Sequence, residues 1–170
     1  WISSADLVTT TTPYFCSTIT EQAKPKWIEV LPNCIEPKEA QFIDTTPTES
    51  RRVRFGWLGG MYHSTDLNLL KNTFSALNKD RKFMEDVQLC LGGYNHVTPE
   101  YRYIEKLMTS NYGLFRWDKQ YIDYLHQQTE QMYHISLHKP YRRLWGKDVK
   151  NYAQLYNEID VALVPLRDTK

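Results

Sequence analysis

Val53-Arg54-Phe55-Gly56-Trp57-Leu58-Gly59-Gly60 is the stretch whose reading decides the fold. A mostly apolar run of strand length ends in two glycines. Residues 66–80 then place Leu67, Leu70, Phe74 and Leu77 at helical spacing. A buried strand passing through glycine into a helix is the opening of a βα unit. Glycine at such a turn is expected to take positive φ and to let a ligand approach the backbone. The helix behind it presents N–H groups and a partial positive charge, which suit a phosphate. His63 adds a hydrogen bond or a positive charge. A tight turn with a polar surface histidine explains the local pattern equally well, because such turns are common in α/β folds. Neither G-x-G-x-x-G nor the P-loop Gly-Lys-Ser/Thr is present, which argues against a dinucleotide enzyme or an NTPase.

The alternation continues downstream. Residues 87–91 read as a strand ending in Gly92-Gly93, a pair that either brings backbone to the same ligand or makes an ordinary turn. Thr98-Pro99 is a helix start, with Tyr101, Ile104, Leu107 and Met108 on the buried face. Asp118 caps a further helix carrying Tyr121, Ile122 and Leu125. Residues 133–137 read as a strand, 152–159 as a short helix and 161–164 as a last strand closed by Pro165. This order predicts an α/β fold: a Rossmann-like parallel sheet with helices on both faces. Ligands of such sheets bind outside the carboxyl ends of the strands. The loops expected there are 59–64, 92–96, 139–145 and 166–170.

Upstream, residues 7–11 read as a strand, Pro13 opens a helix to about residue 24, and 27–31 form another strand. Residues 36–52 are rich in Pro, Thr and charge and look like a hinge or linker. The sequence stops at Lys170, just after a strand, so a fragment is expected.

Bulk composition narrows the function classes. The 170 residues are 41% apolar and 24% charged, as in ordinary globular proteins. A net charge of +1 gives no basic field for nucleic acid or an anionic membrane. No apolar run approaches the roughly 18 residues of a membrane span. Three scattered cysteines (Cys16, Cys34, Cys90) fit no disulfide framework and no zinc spacing, and read as reduced thiols of a cytosolic protein. His134 and His138 are four apart but on or beside a predicted strand, so no metal site is expected. Arg142-Arg143 with Lys139 and Lys147, near Trp145, meets a phosphate or a base, or else is a solvated loop.

Several segments in series resemble a retaining glycosyltransferase of the GT-B fold, in the large family 4 class. Ala5-Asp6-Leu7-Val8-Thr9-Thr10-Thr11 resembles the last strand of the N-terminal domain. Val30-Leu31-Pro32-Asn33-Cys34-Ile35 resembles the hinge motif, with Cys34 where glycine is usual. Phe55 to Gly60 with His63 and Asp66-Leu67 resembles the first strand and glycine turn of the donor domain. Residues 87–93 resemble its second strand. Tyr156-Asn157-Glu158-Ile159-Asp160-Val161-Ala162-Leu163-Val164-Pro165-Leu166 resembles the strand before the donor loop.

The resemblance implies that residues 1–44 end an acceptor domain and hinge, and that 45–170 are part of a donor-binding domain. It implies transfer of a sugar from a nucleotide-diphosphate donor to a glycan, lipid or other acceptor. Gly59, Gly60 and His63 then lie against the donor diphosphate. Gly93, Tyr94, Lys139, Leu166 and Arg167 are further donor-loop contacts. The glutamate motif that contacts the sugar belongs beyond Lys170, so no catalytic residue is assigned. The nucleotide-sugar is a substrate, and neither cofactor nor metal is implied. A cytoplasmic location is expected, with peripheral membrane association left open. A non-catalytic nucleotide-binding or interaction module of the same fold, and a sugar-nucleotide epimerase, are the competing readings.

Overall fold

The computed structural model describes residues 1–43, 46–77, 79–109 and 139–167, together with residues 120, 123, 125 and 127. The chain divides into two compact units, Trp1–Lys38 and Glu39–Lys170.

The first unit is a single βαβ. Strand β1 (Val8–Thr10) pairs in parallel with β2 (Ile28–Val30), and α1 (Pro13–Ala23) joins them. Thr12 caps α1 by accepting from the Phe15 N–H at 3.2 Å, and Pro13 fills the first helical position. Thr10 is the unit's one buried residue, and α1 buries none. Leu7, Tyr14, Phe15, Trp27 and Leu31 are all more than half exposed.

The second unit is the α/β sheet expected from the alternation. Strands β3 (Val53–Leu58), β4 (Val87–Tyr94), β5 (Tyr141–Trp145) and β6 (Val161–Ala162) are all parallel, in the order β5-β4-β3-β6. Side chains alternate across it with period two. On one face Trp57, Leu89, Leu91 and Tyr141 pack with Leu67, Phe74, Met84 and Ile104 from the helices. On the other, Cys90 and Leu144 pack with Leu155 and Ile159. The first face carries α3 (Ser64–Leu67), α4 (Lys71–Leu77), α5 (Arg81–Asp86) and α6 (Pro99–Met108); the second carries the 3-10 helix Tyr152–Glu158.

Four expectations are corrected. The helix read at 66–80 begins earlier and alternates in type: a 3-10 turn at Met61–His63, α3, a 3-10 turn at Asn68–Leu70, then α4. A separate α5 follows, capped by Asp80, which accepts from the Phe83 N–H at 3.0 Å. The hinge at 36–52 is not a bare linker, because it carries α2 (Ala40–Ile43). Its buried Gln41 donates to Val149 O at 3.1 Å, and Thr48 donates to Glu158 at 2.9 Å. Gly92-Gly93 is not a turn after β4 but part of the strand, which runs on to Tyr94 through a bulge.

The fourth correction is the largest. The sequence places residues 139–145 in a loop at the carboxyl edge, with Arg142-Arg143 meeting a phosphate or a base or else solvated. Instead Tyr141–Trp145 is β5, and both arginines are buried inside the sheet. Burying a guanidinium is costly unless it is paired. Arg142 Nη1 donates to Glu158 at 2.9 Å on one face. On the other, Arg143 grips Glu105 of α6 with two bonds of 2.6 and 2.7 Å. Arg54 of β3 is held in the same manner by Asp160, at 3.1 and 2.8 Å, and that contact keeps Asp160 below the usual carboxylate range. The strand expected at 133–137, with His134 and His138, and the helix residues Asp118, Tyr121 and Ile122, lie outside the described residues. Leu125 is buried in the core as expected.

Candidate functional site at the carboxyl edge

From β3 the chain steps outward to β4 and then β5, and only then crosses back, over the other face, to β6 on the far side of β3. That makes the β3–β6 junction the topological switch point of the sheet. The Gly59-Gly60 turn ends β3 at this point. It separates two groups of side chains.

Toward β4 and β5 lies an open cleft of about 590 Å³, whose lining includes Gly60, Gly93, Tyr94, His96, Trp145 and Lys147. Its wall is aromatic. Tyr94 meets the Trp145 ring edge-on at 5.3 Å between centroids and the Tyr101 ring at 5.9 Å, and His96 lies 5.5 Å from Trp145. The wall is fixed from beneath. The buried Arg143 guanidinium lies over the Tyr94 ring, 4.4 Å from its centre. Tyr141 donates to the same Glu105 oxygen at 2.8 Å. Burial lowers the tendency of Arg143 to hold its proton, but the bonds and charge of Glu105 outweigh that and raise it. Burial first, and then the Glu105 charge, push the Tyr141 phenol well up, so it remains a donor.

The glycines have three different jobs. Neither Gly59 nor Gly60 takes positive φ, contrary to expectation. Gly59 is small because a Cβ would stand 2.7 Å from the Trp57 indole, and its carbonyl accepts from the Tyr101 hydroxyl at 3.1 Å. A Cβ on Gly60 would meet nothing within 4 Å, and Gly60 is exposed where it lines the cleft. Gly93 is the one with positive φ, at 76°, and makes the bulge that ends β4. A side chain there would press on Gly59 O at 3.3 Å, so the two glycine segments lie directly against each other.

On the β6 side an ionic cluster gathers. Asp66 accepts from Arg167 Nε at 2.5 Å and lies 3.1 Å from His63 Nδ1. The His63 N–H in turn donates to Gly60 O at 3.2 Å.

Of the residues singled out in the sequence, Gly60, Gly93 and Tyr94 meet in the cleft. Gly59 supports it from behind, and His63 and Arg167 meet at Asp66. Lys139 stands apart from them. It precedes β5, and Gln88 near the start of β4 donates to its carbonyl at 2.7 Å, which places it at the amino edge. Leu166 is 72% exposed and does not line the cleft. His96, in the loop expected at this edge, and Lys147, weighed as a phosphate or base contact, both line the cleft; Tyr101, Asp66 and Glu105 were assigned no site role. Cys90 offers no nucleophile: burial pushes its thiol up to about 12. Among the described residues, no helix is long and apolar enough to cross a membrane.

Comparison with protein-family models, with curated proteins and with solved structures found no match.

Proposed function

We propose that the second unit binds the nucleotide diphosphate of a nucleotide-sugar at its carboxyl edge. In this reading the whole protein transfers the sugar to a glycan, lipid or other acceptor with retention. The observation that carries the proposal is the cleft itself, where the exposed Gly60 and the half-buried Gly93 meet an aromatic wall beside the switch point. Its volume falls in the range of small-molecule sites. A base stacks on Trp145, which Tyr94 backs, and the phosphates run past Gly60 toward Arg167 and His63. Stabilising the departing diphosphate is the central physical task, and fixed N–H donors and cations do it electrostatically. The uncovered apolar side chains of the first unit fit a βαβ piece of a larger parallel sheet, which an acceptor domain supplies.

Calorimetry with UDP and GDP tests the binding step. One of the two binds with a Kd between about 1 μM and 1 mM, the usual range for enzyme substrates. Trp145→Leu weakens it about tenfold, as expected for a lost stacking contact, while Lys139→Ala leaves it unchanged. Absence of binding by both nucleotides contradicts the proposal.

A further inference from the structure

The Asp66 cluster joins α3 to the segment after β6, which lie 101 residues apart in sequence. Its arrangement is inside out for a structural ion pair. The Asp66 side chain is 13% exposed, whereas those of Arg167 and His63 are 44% and 59% exposed. The carboxylate is covered and the donors face water. Exposed pairs of this kind add little stability, so the fold alone does not account for gathering two donors on one carboxylate. Capacity is left over. A guanidinium has five N–H donors, and among the described residues only Nε of Arg167 is engaged. Among the same residues the His63 ring uses Nδ1 alone. Carboxylate and phosphate oxygens compete for the same cationic donors, and phosphate takes the guanidinium fork with two bonds where Asp66 takes one. The cluster also adjoins the cleft, since Gly60 lines the cleft and accepts from the backbone N–H of His63.

We propose that Asp66 is a built-in competitor of the ligand: it holds Arg167 and His63 in place until the phosphates of a nucleotide diphosphate take both from it. This rests on the nucleotide reading above. Arg167 first, and His63 second, hold the Asp66 carboxyl below its usual range, so at neutral pH the competitor is a full anion. The exchange ties the loop after β6 to the presence of phosphate, because Arg167 changes partner when the ligand arrives.

Calorimetry at low ionic strength with inorganic pyrophosphate, UDP and GDP tests this on the unaltered chain, Asp66→Asn, Arg167→Ala and the double variant. Thermal melts check that each variant folds. Removing the competing charge tightens pyrophosphate and nucleotide about fivefold. Arg167→Ala weakens both about tenfold, as for a lost charged hydrogen bond. In the Arg167→Ala background the gain from Asp66→Asn shrinks, because part of what Asp66 withheld is no longer there. If nucleotide binds but Asp66→Asn weakens it or leaves it unchanged, Asp66 is no competitor, and the nucleotide reading stands without it. If pyrophosphate alone binds and responds as described, the anion exchange stands and the nucleotide reading falls. If neither probe binds any form of the chain, both are overturned.

Discussion

Replacing Glu105 with alanine costs the second unit about 3–5 kcal/mol, the usual penalty for breaking a buried ion pair by removing one partner. Glu105 is 5% exposed and receives two bonds from Arg143 and one from Tyr141. Without it the Arg143 guanidinium, also 5% exposed, keeps, among the described residues, its bond to the Leu125 carbonyl and the Tyr94 ring. Denaturant unfolding measures the loss. The double change Glu105→Leu with Arg143→Met costs less than Glu105→Ala, because no charge is left behind. A loss below about 1 kcal/mol for Glu105→Ala, on the same scale, would show that this network does not anchor the sheet. The consequence reaches the site, since Arg143 underlies Tyr94 and Tyr94 supports Trp145.

Gly56→Val is the second large effect, at about 3 kcal/mol, the upper end for overpacking a core. Gly56 sits mid-strand in β3, paired with Cys90 on one side and Ala162 on the other. A Cβ there would stand 2.1 Å from Ile159 Cγ2 and 2.9 Å from Ile159 Cβ. Ile159 has little room to give: its χ1 is stiff, and it follows the 3-10 helix that covers this face. Gly92→Ala is milder by comparison. The nearest atom there is Leu58 Cδ2, the far end of a side chain that can swing away. The ranking of the two variants by thermal melting checks this reading of the second core, and equal melting temperatures would refute it.

Much of the sheet was legible because its strands are apolar. β3 and β4 stand out as runs of strand length, and the alternation of strand and helix gave the parallel α/β class. β5 was not legible. Tyr141-Arg142-Arg143-Leu144-Trp145 carries two adjacent charges, a pattern that reads as surface. Its burial depends on Glu105 and Glu158, which are 38 and 16 residues away and reach it only in three dimensions. The glycines were visible, but not their tasks. Which glycine turns left-handed, which makes room for an indole and which faces open space depends on neighbours that sequence order does not reveal. The aromatic wall was legible only in part: Tyr94 stands out beside its glycines, but with 12 tyrosines in the chain nothing marks Tyr101, which is selected by where α6 begins. Strand order was equally out of reach, and it is strand order that makes the end of β3 a switch point.

The most direct measurement is amide NMR of the isotope-labelled chain during titration with UDP and with GDP. Binding at the carboxyl edge shifts the amides of Gly60, Gly93, Gly146 and Lys147 first and most. No shift at millimolar nucleotide, or shifts confined to the amino edge around Lys139, would contradict the account.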